Sequence, residues 1–389
     1  LKPSPTSVQK AGLGFRALLR IGLDGRAFTS PAGGVRRYVR ELARALLALG
    51  EPIHIVALGG NTESGLPPGV EHVAEPVHPP TNLGWALIGL PRAARRARVD
   101  VIHAPAYTGP LLASAPVVLT VHDVSYARHP EWYPYRRDRL RRAFYRRSAR
   151  AAAIILTDSD FSAHEICAAY GISRERIVVV PLGVDAMFSP AGPMDRCELP
   201  QEITTPFLLH VGDLHERRNL GMLVDAVLAA RRHFGGAPSV SLVLAGVDRG
   251  VGDGLCALAA QADDPNAVVK LGVVSDDLLL ALYRCAIALV YPSLYEGFGL
   301  PLLEAMACGT PVIASRAASI PEVIADAGIL LDPHDVDAWT STIVNVVNDG
   351  DRRAALRTRG LAHASEFGWN RTARLTLEVY HRAKSDVGA

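Results

Sequence analysis

The sequence predicts an α/β protein built from two doubly wound domains, and three observations predict it. Short apolar runs rich in Val, Ile and Leu recur through the chain, as in strands covered on both faces of a parallel sheet. Stretches with apolar residues at helical spacing lie between them. The alternation stops once, between Ser189 and Pro200, where three prolines and a glycine fall within twelve residues, and then restarts. A chain of 389 residues has room for two such domains. The division expected is a loose tail over 1–16, a first domain over 17–190, a linker over 191–200, a second domain over 201–368 and a closing helix over 369–389.

Each element has its own signal. Residues 17–23 read as the first strand, followed by a loop over 24–34 with three glycines. A helix follows over 35–49, where Val35, Val39, Leu42, Leu46 and Leu49 share one face. Residues 53–58 form the next strand. This βαβ opening lacks G-x-G-x-x-G, which weakens a dinucleotide reading. Strands over 99–103, 117–121, 153–157 and 177–180 alternate with helices near 84–97, 134–150 and 160–170. After the linker, strands are expected at 207–211, 240–245, 267–271, 285–291, 311–314 and 328–331. Helices over 335–349, 351–365 and 370–385 close the chain.

Composition sets outer bounds. Hydrophobic content of 49% and charge of 21% suit a globular core, and the net charge of +2 excludes no partner. The five cysteines are scattered without C-x-x-C spacing, which points to a reduced, cytoplasmic protein without disulfides or a zinc site. No apolar run approaches the ~18 residues of a membrane span. The first twelve residues lack the apolar segment of a signal peptide.

The most informative stretch runs from Tyr291 to Val312, YPSLYEGFGLPLLEAMACGTPV. An apolar strand ends at Pro292, Gly297 and Gly299 flank Phe298 in a turn, and Leu300-Pro301 opens a helix. A helix N-terminus behind a glycine loop offers free N–H groups and a positive dipole end to an anion. Two acids bracket the loop, Glu296 before it and Glu304 one turn inside. Two carboxylates would repel a bare phosphate. They suit a ligand that also carries hydroxyl groups, with a ribose diol at Glu304, sugar hydroxyls at Glu296 and a diphosphate between. An ordinary βαβ turn with one surface Glu and one capping Glu accounts for the spacing alone.

The E-x7-E pair within this block resembles the signature of glycosyltransferase family 4, retaining enzymes of the GT-B fold, and the resemblance covers about residues 19 to 380. It implies two Rossmann-like domains facing a cleft, with the last helix crossing back to the first domain. It implies that Glu304 holds the nucleotide ribose and that Glu296 contacts the donor sugar. Phe298, Gly299 and Leu300 would present the helix end to the diphosphate. HVGDLHERRNL (210–220) resembles the family's Arg-Lys-Asn block, so Arg217 and Arg218 would clamp the diphosphate, with Arg218 in place of the usual Lys. Gly33 and Gly34 resemble the glycine loop near donor and acceptor. His122 would lie by the donor sugar, and His103, Asp123, Gly212 and Gly297 are further cleft candidates. The implied reaction is a front-face displacement, with no metal and no other cofactor. Asp158-Ser-Asp160 has the look of a metal-binding D-x-D, but Ser159 or Asp160 can cap the helix that follows.

Residues 136–150 hold eight arginines and one aspartate. On a helix, Leu140, Phe144 and Tyr145 would face inward, while Arg136, Arg137, Arg139, Arg141, Arg142 and Arg146 would cover the outside and meet an anionic membrane surface. No nucleic-acid module accompanies this charge. The segment 122–134 resembles bacterial mannosyl- and rhamnosyltransferases of surface polysaccharide assembly. GDP-mannose is therefore the first expected donor and a dTDP- or UDP-sugar the second, with a glycan or lipid-linked acceptor. A nucleotide-sugar epimerase on the same fold and an inactive binding member are the rival readings.

Overall fold

The computed structural model describes residues 18–60, 65–77, 81–133, 138–190, 199–203, 206–234 and 240–386. The expected tail over 1–16, residues 191–198 of the expected linker, and Arg136 and Arg137 lie outside them. Two parallel sheets form. The first contains β1 (Leu19–Asp24), β2 (Ile53–Leu58), β3 (Glu71–Val73), β4 (Val101–Ala104), β5 (Val117–Thr120), β6 (Ile154–Thr157) and β7 (Ile177–Val179). Its order is β3-β2-β1-β4-β5-β6-β7. The second contains β8 (Phe207–Val211), β9 (Ser241–Ala245), β10 (Val268–Gly272), β11 (Ala288–Tyr291), β12 (Val312–Ser315) and β13 (Ile329–Leu331), in the order β10-β9-β8-β11-β12-β13. Every residue of β4, β5 and β6 is buried, as their apolar runs require of strands covered on both faces. The expected strands all form. The edge strand β3 went unpredicted, because its three residues include exposed Glu71 and His72 and carry no apolar run.

The helices cover the sheets. The first domain contributes α1 (Gly33–Ala48), α2 (Asn82–Gly84), α3 (Leu90–Ala97), α4 (Ser125–Arg128), α5 (Arg139–Ala151) and α6 (Asp160–Tyr170). The second contributes α7 (Leu220–Arg232), α8 (Gly252–Gln261), α9 (Asp276–Cys285), α10 (Leu300–Ala307), α11 (Ile320–Ile324), α12 (Val336–Asn348) and α13 (Gly350–Ala364). The last helix, α14 (Trp369–Asp386), returns to the first domain and packs on α1, β4 and β5. Trp369, Ala373, Leu377 and Tyr380, at helical spacing, are its buried face. Lys384 pairs with Asp100 of the first domain at 2.9 Å.

In each sheet the strand order reverses once, between β1 and β4 in the first and between β8 and β11 in the second. Loops at such switch points leave a crevice at the carboxyl ends of the strands. The two crevices face each other across one cleft. Side chains fasten the seam beside it. Ser159 caps α6 and donates its hydroxyl to the Gly297 carbonyl at 2.7 Å. Glu322 of α11 accepts from the Asp160 and Phe161 amides at 2.8 and 2.7 Å, so an acid of one domain caps a helix of the other.

Candidate functional site

The interdomain cleft has a volume of about 580 Å³. Its first-domain wall includes Gly33, Gly34, Tyr107, His122, Asp123 and Asp158. Its second-domain wall includes Gly212, Arg217, Arg218, Tyr291, Glu296 and the loop Gly297–Leu300. Glu304 faces an adjoining space of about 520 Å³ that shares Gly33, Gly34 and Leu300 with the cleft.

Two helix ends open here. Gly299 occupies the position before α10 with φ of 104°, a left-handed conformation that suits glycine, and Pro301 sits in the first turn. Among the described residues no side chain caps α10, and none caps α1, which starts at Gly33 after Ala32. A Cβ added at Gly33 or Gly34 would meet nothing within 4 Å, so the glycines leave open space beside the end of α1. Gly297 is tight instead: its added Cβ would lie 2.2 Å from the His122 carbonyl oxygen.

The charged groups are paired across this space. Arg217 Nη1 lies 3.5 Å from Asp123 Oδ2, and Asp123 also accepts from the Ser125 amide at 2.9 Å. Burial lowers the Arg217 pKa and Asp123 raises it, with a net upward shift. Arg218 is buried and ion-paired with Glu296; its Nη1 also donates to the Tyr291 hydroxyl and, at 3.2 Å, to Ser293 Oγ. Burial pulls the Arg218 pKa down. The sequence reading gave Glu296 and Arg218 separate tasks, and the structure joins them as one buried pair. Such a pair sets the two buried charges against each other and holds a guanidinium at the place where the loop and α10 converge.

Glu304 is engaged on both oxygens. Oε1 pairs with Arg37 of α1, and Oε2 accepts from the Tyr283 hydroxyl at 2.8 Å. Arg37 reaches Asp276 at 3.0 Å as well, so one arginine of the first domain is held by two acids of the second. Burial raises the Glu304 pKa, and Arg37 and Tyr283 offset part of that rise. Arg37 sits inside the glycine-loop block and went unselected, because nothing in its spacing foretells a partner on another domain.

His122 leaves β5 at its carboxyl end as expected and lines the cleft. Its Nδ1 lies 2.7 Å from Asp158 Oδ2. In the sequence Asp158 stands out only as the first residue of the D-x-D triplet, whose Ser159 caps α6. The signal that could have found it is topological: it leaves β6, the neighbour of β5, at the same sheet end as His122. His103 does not reach the cleft. It is fully buried, with Tyr380 of α14 at 2.7 Å on Nδ1 and Thr120 at 2.8 Å on Nε2. Burial first, and then the His122 charge, push its pKa down to about 3, so it is a neutral residue of the core.

A groove of about 800 Å³ on the first domain opens beside the cleft and shares Pro31, Val35 and Tyr107 with it. Tyr107 holds a left-handed backbone, φ 48°, unusual for a bulky residue, and its ring stacks on Tyr145 at 5.6 Å. The arginine-rich helix α5 forms one wall. Its inward face differs from expectation: Leu140 is 85% exposed on the groove rim, Phe144 and Tyr145 are half-buried, and Ser148 and Ala149 make the core contact. The cause is the helix start. Asp138 caps α5 through the Arg141 amide, which leaves Leu140 in the first turn and outside the core. Arg139, Arg141 and Arg146 are exposed and Arg142 is half-buried.

Comparison with known proteins decides the family. Residues 32–188 match the model of Glycosyltransferase Family 4, and residues 195–363 match that of Glycosyl transferases group 1. The O-antigen chain mannosyltransferase B of Escherichia coli is 35% identical over 270 residues, covering 68% of this chain and 69% of that protein. This chain belongs to glycosyltransferase family 4. A D-inositol 3-phosphate glycosyltransferase of Arthrobacter sp. (strain FB24) is 31% identical over 396 residues, covering 90% of both chains. Among solved structures, Anabaena HepE in complex with UDP and glucose superposes with a TM-score of 0.71 at 21% identity, over 94% of this chain and all of that one, a likeness of fold. The protein is therefore a GT-B glycosyltransferase, an enzyme that moves a sugar from a nucleotide-sugar donor to an acceptor. Among the described residues no cluster of metal-ligating side chains occurs, and no helix is long and apolar enough to cross a membrane.

Proposed function

We propose that the chain transfers a hexose from a UDP-sugar to an amphipathic glycan acceptor with retention of configuration. The observation that carries the reading is the convergence of Arg217, Arg218 and the free ends of α1 and α10 on one cleft, with Glu296 and Glu304 on either side. In this reading the diphosphate lies on Gly299, Leu300 and the two arginines, the ribose diol on Glu304, and the sugar between Glu296 and His122. The acceptor hydroxyl attacks the anomeric carbon from the face that the diphosphate leaves. The carbon–phosphate oxygen bond breaks, the new glycosidic bond forms, and the acceptor proton passes to the leaving phosphate. Charge growing on that phosphate meets the arginines and the helix end, which is where stabilisation accelerates the reaction.

The comparisons favour the UDP-sugar expected second over the GDP-mannose expected first. The HepE structures of this fold are solved with UDP, with UDP and glucose, and with UDP-glucose. The mannosyltransferase name of the E. coli relative points the other way. The test is release of nucleoside diphosphate from a panel of UDP-, dTDP- and GDP-sugars. Turnover of a UDP-sugar alone supports the proposal. Turnover of GDP-mannose alone returns the donor to the first expectation.

The groove beside the cleft supports the amphipathic acceptor. Exposed Leu83 and Leu140 stand on its rim with Arg141 and Arg147. Apolar and basic side chains together suit the interface of an anionic membrane, where each basic residue contributes ~1 kcal/mol. Pelleting with phosphatidylglycerol vesicles at low salt supports this placement, and protein that stays in the supernatant refutes it.

A further inference from the structure

The His122–Asp158 contact is framed more firmly than a surface ion pair. Val121, just before His122, donates its amide to the Leu156 carbonyl at 2.9 Å. Thr157, just before Asp158, donates its hydroxyl to the Val121 carbonyl at 2.8 Å. Ser162 of α6 donates to the His122 carbonyl at 3.0 Å. Two neighbouring strand exits are thus locked in register, and the register sets the 2.7 Å contact between Nδ1 and Oδ2. Asp158 is buried, and its carboxylate, 4% exposed, lies in the cleft wall rather than in solvent. On the far side of the ring, Nε2 is buried and makes no well-formed hydrogen bond among the described residues, while the Pro105 carbonyl lies close enough to act on the imidazole.

We propose that Asp158 is a positioning residue, which fixes the His122 ring and keeps it protonated so that Nε2–H is offered to an oxygen of the bound donor. The proposal rests on the reading of the cleft as the donor site. The other groups around the ring are consistent with it. The Tyr38 ring of α1 stands edge-on, 4.9 Å away at 87°, and carries no charge. His103 of β4 is neutral. Asp123, the next residue, adds negative charge, and the Pro105 carbonyl also favours the charged imidazole. Burial lowers the His122 pKa, but Asp158, Asp123 and Pro105 together outweigh it, and the net shift is upward. A neutral histidine in the same place would keep its one proton on Nδ1, where the Asp158 carboxylate accepts it, and would turn the Nε2 lone pair toward the donor's oxygens.

The sign follows for the pH profile. A charged His122 is lost as pH rises through its raised pKa, so wild-type turnover falls on the alkaline side. In Asp158→Asn the burial effect is no longer opposed by the carboxylate. Opposite charges at this distance shift a pKa by ~1–3 units, so the alkaline limb moves toward acid by at least ~1 pH unit. At low pH, where the variant's His122 regains its proton, its rate approaches that of wild type. Asp158→Glu keeps the charge and restores the wild-type limb. Titration of ¹⁵N-histidine by NMR in the ligand-free protein reads His122 directly and does not depend on the identity of the donor. A downward shift of the His122 titration in Asp158→Asn, with the limb following, is the expected result. An unchanged titration, or a variant uniformly slow at every pH, overturns the proposal. Should Asp158→Asn not fold, the wild-type titration decides alone: His122 above the ordinary value of ~6.5 supports the dyad and below it refutes it. Donor binding failing while the titration behaves as expected would dismiss the donor reading and leave the dyad standing.

Discussion

Glu304 is the residue whose replacement tests the proposed ribose contact most cleanly. The side chain is 5% exposed, accepts from the Tyr283 hydroxyl at 2.8 Å and pairs with Arg37. Glu304→Gln keeps the shape and an acceptor for Tyr283 but removes the charge. A hydrogen bond to a charged group contributes ~1.5–3 kcal/mol and a neutral one ~0.5–1.5. The difference of ~1–1.5 kcal/mol corresponds to roughly 5–12-fold weaker nucleotide. Glu304→Ala removes the bond itself and should weaken binding by roughly 12–150-fold. It also leaves the buried Tyr283 hydroxyl without its acceptor, which costs about 1–3 kcal/mol of stability, while Arg37 keeps Asp276. Isothermal titration with UDP reads the affinity and a urea melt reads the fold. The graded order, wild type above Gln above Ala, is the expected result. If both variants are folded and bind UDP within twofold of wild type, Glu304 does not hold the ribose.

Three further outcomes follow from the same geometry. Arg218→Ala leaves Glu296 buried without its partner, so stability should fall by about 3–5 kcal/mol, while Arg218→Met with Glu296→Leu restores most of it. Neither variant should turn over at more than ~1% of the wild-type rate, because the guanidinium proposed to meet the diphosphate is gone in both. Gly297→Ala drives a Cβ to 2.2 Å from the His122 carbonyl and should cost about 1–3 kcal/mol and most of the activity, read by thermal melting and donor turnover. His103 and His210 are buried and neutral, each pushed down to about 3. A lowered histidine pKa means that the unfolded chain takes up protons first. Stability should therefore decline as pH falls below ~6.5, by up to ~1.4 kcal/mol per pH unit for each histidine. His103→Gln should flatten that decline in urea melts from pH 7 to 4, and an equal slope in wild type and variant would show that His103 titrates normally.

The fold was readable because parallel strands covered on both faces leave continuous apolar runs, and β4, β5 and β6 are such runs. The strand β3 was not, because an edge strand needs backbone pairing only and can be polar throughout. The placement of the candidate site was readable where its residues are close in sequence: Gly299 at the head of α10, and Glu296 and Glu304 on either side, sit within one short block. It was unreadable where two distant segments meet. Nothing in the spacing joins Arg218 to Glu296, Arg37 to Glu304 or Asp158 to His122, since each contact is made by topology. His103 failed for the converse reason. It ends a strand beside the one that leads to His122, but α14 returns over it, and Tyr380 takes its Nδ1. Leu140 failed because helical spacing says which residues share a face, and the cap at Asp138 decides where that face begins.

The most direct measurement is the thermal stability of the protein against UDP, GDP, dTDP and ADP and their sugars. A ligand that binds only the folded state adds RT ln(1 + [L]/Kd), ~2.7 kcal/mol at a ~100-fold excess over Kd. The account predicts a rise with UDP and UDP-sugars that shrinks in Glu304→Ala. A protein whose melting is unmoved by every nucleotide, or moved equally in wild type and Glu304→Ala, would contradict it.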